Sequence, residues 1–182
     1  MADDDQRSRF ERVVMPHLDA AYNLARWLSR DAHDAEDIAQ EALLRAYRYS
    51  GALRGADARP WLLAIVRRSF YDWLSRNRPA EIDRGVDPES LADESGAIPG
   101  PEQAALRRAD NQSLTAAIAA LPRGFREVLV LRELEELSYK QIAQIVDIPV
   151  GTVMSRLARA RGLLQKSPLL ESVRGGAAGG ER

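Results

Sequence analysis

Apolar residues recur at helical spacing through almost the whole of this chain, and the pattern lapses over one long stretch. That stretch, "PAEIDRGVDPESLADESGAIPGP" from Pro79 to Pro101, combines several prolines and glycines with acids that outnumber its single arginine. Such a segment cannot bury enough apolar surface to offset the entropy of ordering it, so it reads as a flexible acidic linker. No run alternates apolar and polar residues as a half-buried strand does. The expected fold is therefore all-α: two small helical domains, over residues 1–78 and 102–168, joined by the linker over 79–101. The glycine-rich end, "GGAAGGER", extends a disordered tail expected over 169–182. A tether of this kind is expected to leave the two lobes without a fixed separation.

Within the first lobe, a helix from about Arg7 to Ser29 is interrupted at Pro16, which lacks a backbone donor and clashes with the preceding turn. Others are expected from about Asp34 to Tyr49 and from about Pro60 to Asn77, with the connection "GALRGAD" between them. In the second lobe, Ser138 and Gln141 stand at the spacing of a capping box, which opens a helix at Ser138. Ile142, Ala143 and Val146 supply its buried stripe. Asp147, Ile148 and Pro149 then stop it, aspartate being tolerant of a left-handed turn. A second helix starts near Val150, completing a helix-turn-helix whose second helix normally enters the DNA major groove.

On a wheel of about 100 degrees per residue, Val153, Leu157, Ala160 and Leu164 of that second helix share one face and point to the core. Opposite them lie Ser155, Ala158, Arg159 and Gly162, with Arg156 and Arg161 on the two flanks. Arginine bonds guanine bidentately, serine reaches base edges, and alanine touches a thymine methyl. The flanking arginines suit phosphates, which position without specifying. A solvated helix face is the bland alternative.

The first lobe presents a different surface. In "DAEDIAQEALLRAYRY", Ile38, Ala42, Leu43, Ala46 and Tyr47 form the buried side, whereas Asp37, Gln40, Glu41, Leu44 and Arg48 share the other. A leucine ringed by acids and an amide is either a protein-docking patch or one stray apolar residue on a charged face. In "PWLLAIVRRSFYDWLSRNR", Leu62, Val66, Phe70 and Trp73 are expected to be buried. Trp61, Arg68 and Tyr71 then point elsewhere, near Arg67, Arg76 and Arg78. Rings among cations are either a stacking platform for single-stranded nucleic acid or wedges against neighbouring helices.

Composition narrows the function classes. The 26 basic and 27 acidic residues nearly cancel, so any nucleic-acid contact must be local or assisted by a partner. Absence of cysteine excludes disulfides, thiolate zinc sites and thiol redox sensing. The acidic start "MADDDQRSRF" is unlike a secretion signal, and no apolar run approaches the roughly 18 residues of a membrane span. A cytoplasmic protein without membrane contact of its own is expected. An enzyme would need a site, but Asp31, His33, Asp34 and Asp37 are better explained by helix capping, and no nucleophile–base pair or phosphate-cradling loop stands out. Neither a metal nor any other cofactor is expected. A stand-alone helix-turn-helix regulator would need a ligand-binding, receiver or dimerisation domain, which the first lobe does not offer.

Three segments together, "DAEDIAQEALLRAYR", "LRGADARPWLLAIVR" and "LPRGFREVLVLRELEELSYKQIAQIVDIPVGTVMSRLARARGLL", resemble the core-binding, promoter-melting and promoter-binding parts of a bacterial RNA polymerase sigma factor of the extracytoplasmic-function type. The resemblance spans both lobes, in the family's order, with a short linker in place of the larger sigma factors' middle domain. It implies two domains resembling sigma regions 2 and 4, core RNA polymerase and promoter DNA as partners, and control by an anti-sigma factor. It implies that Asp37, Gln40, Glu41, Leu44 and Arg48 dock on the polymerase. Leu53, Arg54, Arg59, Trp61, Arg67, Arg68 and Tyr71 match the part that meets the minus-ten element. Thr152, Met154, Ser155, Arg156, Ala158, Arg159 and Arg161 match the reader of the minus-thirty-five element. Leu53 and Arg68 stand where many members carry phenylalanine and asparagine, and Met154 and Ala158 replace larger or charged residues of some relatives.

Overall fold

The computed structural model describes residues 2–53, 57–82 and 105–170. Pro16 interrupts the first helical stretch as its chemistry requires: α1 (Ala2–Val13) gives way to a tight turn over Met15–His17 before α2 (Leu18–Ser29). The first of these helices begins earlier than the apolar spacing suggests, because its opening turns are polar and carry no periodic signal. Arg30, in the left-handed region at φ 62°, turns the chain into α3 (Ala32–Arg48). Asp31 caps α3, its carboxylate accepting from the Asp34 amide at 3.0 Å, and this bond holds the carboxyl below its ordinary range. Asp57 plays the same part for α4 (Ala58–Asn77), accepting from the Arg59 amide at 3.2 Å, so Pro60 sits inside the first turn, where its missing donor is harmless.

Residues 79–82, read as the start of the linker, form a 3₁₀ turn, Pro79–Glu81, that lies against the second lobe. Arg123 donates to the Glu81 carbonyl at 3.0 Å and faces its carboxylate at 3.5 Å. The remainder of the expected linker, residues 83–101, and the tail from 171 onward lie outside the described residues.

The second lobe contains α5 (Ala105–Ala120), α6 (Arg123–Leu129), α7 (Tyr139–Val146) and α8 (Val150–Gln165). After Leu129 the helix widens into a π turn over Val130–Leu134, closed by the Glu135 amide donating to the Val130 carbonyl at 3.1 Å. Both halves of the capping box are formed: Ser138 Oγ accepts from the Gln141 amide at 3.2 Å, and Gln141 Oε1 from the Ser138 amide at 2.9 Å. Asp147 adopts the left-handed conformation, φ 58° and ψ 51°, and α8 starts at Val150. The buried stripe of α7 is Ile142, Ile145 and Val146; Ala143, expected in it, is half-buried.

The expectation of lobes without a fixed separation does not match the folded arrangement. Helices α2, α3 and α4 pack together, as do α6, α7 and α8, but α4 also lies against α7 and α2 against α6, so one apolar core runs through both lobes. The reason is visible on α4, which buries Leu63 and Leu74 besides Leu62, Val66 and Phe70, more of its circumference than one neighbour covers. Trp73, expected to be buried, is only half-buried. Where the lobes meet, buried Arg126 donates to the carbonyls of Ala119 at 2.9 Å and Leu121 at 3.0 Å, satisfying the end of α5. Burial, then repulsion from Arg30 and Arg123, pulls its guanidinium down to about 10.

Candidate functional site

Three surfaces carry the residues singled out above. On α3, Asp37, Gln40 and Arg48 are exposed, and Leu44 is 61% exposed with Ile38, Ala42 and Ala46 buried behind it. Glu41 is held from within the fold: Arg45 donates to it at 2.7 and 3.1 Å and to Asp72 of α4 at 2.6 Å. The Asp72 bond, followed by the opposing effect of partial burial and then the Glu41 bond, leaves Arg45 more basic than an ordinary arginine. Arg45 therefore positions one acid of the surface and ties α3 to α4. Its spacing of four from Glu41 is a readable signal; its bond to Asp72 is not. A cleft of about 340 Å³ opens beside this face, lined by Asp37, Ile38, Glu41, Ser69, Trp73 and Arg76 among others.

The second surface, on α4 and the connection before it, differs most from the sequence reading. Leu53 is 6% exposed, so its side chain packs inward, while its backbone is held at both polar groups: the amide donates to the Ser50 carbonyl at 3.2 Å and the carbonyl accepts from Arg9 at 3.0 Å. Arg54 lies outside the described residues. Arg59 donates to Glu135 in a short contact, and Arg67 donates to Glu127 Oε1 at 2.6 Å. Both carboxylates belong to the second lobe, and both are buried, Glu127 at 2% and Glu135 at 4% exposure. The Arg67 guanidinium also stacks 4.6 Å from the centre of the Tyr71 ring. Burial would lower Arg67, but the charge and bond of Glu127 outweigh it and the net shift is upward. Burial, reinforced by the Glu127 charge, pushes the Tyr71 hydroxyl up to about 12. Trp61 is half-buried against the core, whereas Arg68 is exposed. Arg67 and Tyr71 are thus brought together, whereas Arg59 stands apart on the same helix, and both arginines are engaged by acids of the second lobe. Removing one partner of a buried ion pair typically costs about 3–5 kcal/mol, so these contacts are consequential for how the lobes sit.

The third surface is the outer face of α8. Val153, Leu157 and Ala160 are buried as the wheel requires, while Leu164 is half-buried near the helix end. Ser155, Ala158 and Arg159 are exposed, Met154 is 52% exposed, and Thr152 and Arg156 are half-buried at the edges. Ser155 Oγ donates to the Thr152 carbonyl at 3.1 Å, a bond it can exchange for one to a ligand. Arg161, grouped with Arg156 as a flanking cation, is engaged differently: it donates to Glu133 at 2.5 Å. That bond, with partial burial opposing and the Glu133 charge assisting, leaves Arg161 more basic than usual. Arg159 makes no ion pair among the described residues. The face can thus present a long cationic donor and a hydroxyl amid small side chains.

Among the described residues, no His, Asp and Glu side chains are grouped so as to hold a metal ion, and no helix is long and apolar enough to cross a membrane.

Comparison with known proteins joins these surfaces into one molecule. Residues 13–79 match the model of sigma-70 region 2, and residues 111–164 match that of sigma-70 region 4. The chain is 36% identical over 174 residues to the RNA polymerase sigma-H factor of Pseudomonas aeruginosa, covering 91% of this chain and 90% of that protein. It is 38% identical over 136 residues to the ECF RNA polymerase sigma-E factor of Escherichia coli, covering 70% of each. Among solved structures, it is similar to the sigma factor RpoE in complex with the anti-sigma factor NepR from Bartonella quintana, with a TM-score of 0.62, 28% identity, and coverage of 90% of this chain and 97% of that one. With a helix-turn-helix lobe packed on the lobe of α1 to α4 and sequence similarity running through both, this chain belongs to the extracytoplasmic-function sigma factors of the sigma-70 family.

Proposed function

We propose that this sigma factor divides its work among the three surfaces, with residues 1–78 acting on the polymerase and the minus-ten element and residues 102–168 on the minus-thirty-five element. Asp37, Gln40, Glu41, Leu44 and Arg48 dock on core RNA polymerase. Leu44 supplies the apolar contact, and the acids and amide supply the polar rim. Arg59, Trp61, Arg67, Arg68 and Tyr71, with Arg54 in the preceding connection, meet the minus-ten element, the cations on phosphates and the rings on unstacked bases. Leu53 shapes that connection from within. Ser155, Ala158 and Arg159 read base edges of the minus-thirty-five element, flanked by Thr152, Met154, Arg156 and Arg161.

The observation that carries this reading is the outer face of α8, where small side chains and Arg159 are exposed opposite buried Val153, Leu157 and Ala160. With a formal net charge of −1, the free chain has little general attraction for DNA, so docking on a large partner supplies what the isolated lobes lack. Catalysis belongs to that partner: the chain acts without enzymatic activity and without a cofactor. An anti-sigma factor holds it inactive in the cell interior, in keeping with the complex formed by the similar Bartonella protein.

The test is transcription reconstituted with purified core polymerase. Promoter-directed transcripts that depend on the chain support the reading. The competing reading, a stand-alone helix-turn-helix regulator, requires tight, sequence-selective duplex binding by the isolated chain at physiological salt, and that outcome, with no transcripts, overturns the proposal.

A further inference from the structure

We propose that Glu127 and Glu135 act as internal stand-ins for DNA phosphates, holding Arg67 and Arg59 so that the free chain masks its own minus-ten surface beneath the helix-turn-helix lobe. The inference rests on the reading of α4 as a DNA surface and adds a state in which that surface is closed.

The geometry is specific. Arg67 Nε meets Glu127 Oε1 at 2.6 Å, and Arg59 Nη2 meets Glu135 Oε2, so two cations assigned to phosphates are each paired with one carboxylate from the other lobe. A carboxylate offers a guanidinium the same charge-assisted acceptor geometry as a phosphate oxygen. The two acids are almost fully buried, whereas the arginines retain 23% and 32% of their side-chain exposure. A carboxylate buried to this degree is stable only while its partner stays in place. Opening the lobes therefore returns both acids to water and frees both arginines at once.

Further contacts reinforce the closure. Helix α7 lies along α4, and Arg123 packs its guanidinium 5.6 Å from the centre of the Phe70 ring while bonding the Glu81 carbonyl. Tyr71 is held beneath Arg67. The closure is also selective. Ser155, Ala158 and Arg159 on the outer face of α8 remain exposed in the same conformation. Closure thus engages Arg59, Arg67 and Tyr71 of the surface suited to single-stranded DNA, while Arg68 beside them and the duplex-reading face stay open.

Absence of cysteine from the sequence permits a clean test. Ser75→Cys on α4 and Gln144→Cys on α7, both at exposed positions, accept a pair of spin labels whose separation reports the inter-lobe distance. Affinity for fluorescein-labelled single-stranded DNA of random sequence is measured on the same full-length chain. The unsubstituted acids should give a narrow distance distribution and weak binding. Glu127→Gln with Glu135→Gln should broaden the distribution toward longer distances and tighten DNA binding about tenfold or more, because apparent affinity scales with the fraction of open molecules.

Asp19→Asn with Glu36→Gln makes the same charge change at exposed positions and should leave both readings near the starting values. A charge swap guards against simple misfolding: Arg67→Glu should open the lobes, and adding Glu127→Arg should restore the narrow distance. A broad distribution before any substitution, a narrow one after the double substitution, or no restoration by the swap would each overturn the lock. Opening without a gain in DNA binding beyond the charge control would overturn the masking and locate the failure in the DNA assignment of α4, not in the lock.

Discussion

The three arginines on α8 should respond to alanine substitution in three different ways, and the structure supplies the reason. Arg159 is exposed near the centre of the outer face, opposite Val153 and Leu157, where its guanidinium can reach the groove floor. A good bidentate base contact contributes about 1–3 kcal/mol of discrimination, so Arg159→Ala should lose roughly 5- to 150-fold in affinity at one or two base pairs of the minus-thirty-five element and little elsewhere. Arg156 flanks the face, and its contact is with phosphate. Each phosphate neutralised contributes a slope of about 0.9 in log affinity against log salt, so between about 50 and 200 mM salt Arg156→Ala should shrink the loss of affinity by about 3.5-fold on every promoter.

Arg161 begins from a different state, bonded to Glu133 at 2.5 Å with both side chains about half exposed (46% and 48%). Reaching a phosphate would require it to give up a surface pair of about 0.2–1 kcal/mol, so Arg161→Ala should change the salt slope by much less than one phosphate's share, and Glu133→Gln, which frees the cation, should steepen it. The assay is holoenzyme binding to a panel of promoter variants at the two salt concentrations. Equal slope changes for Arg156→Ala and Arg161→Ala would refute the argument from the Glu133 pair. A uniform loss across the panel for Arg159→Ala would show that α8 is rotated in the groove.

Leu44→Asp, or Gln40→Ala with Glu41→Ala, should weaken core polymerase binding in a fluorescence titration while leaving the helical circular-dichroism signal unchanged, because Leu44 and Gln40 lie outside the buried stripe and their loss opens no cavity. Tyr71, held up to about 12 by burial and the Glu127 charge, should ionise about two pH units after an ordinary tyrosine in a spectrophotometric titration, and Tyr71→Phe should remove that late phase. Its folded-state shift is upward, so its contribution to stability is complete below about pH 10 and is lost as pH rises through about 12. Glu127→Gln should bring the phase earlier. Gly162, whose Cβ position is open space, should accept alanine with a gain of about 0.5–1 kcal/mol and a rise in Tm of about 1–4 °C by calorimetry.

Local chemistry made the elements legible in sequence. The Ser138–Gln141 box, the left-handed Asp147 and the stop at Pro16 concern residues within a turn of one another, so their outcome follows from short-range sterics and hydrogen bonding. The same holds for the faces of α3 and α8, where the 3.6-residue period alone separates Ile38 from Leu44 and Leu157 from Arg159. The fate of the charged side chains did not follow from that period. Arg67 is paired across 60 residues of chain and Arg59 across 76, and no local pattern distinguishes Glu127 or Glu135 from the exposed acids beside them. Arg126 likewise finds its acceptors only where two helices meet.

The sequence by itself thus determined which residues could face outward as cations, since amphipathic periodicity is a property of each helix alone. Only the tertiary structure decided which of those cations remain open to a ligand and which are already spent on a carboxylate, because an ion pair depends on where separate elements come to rest.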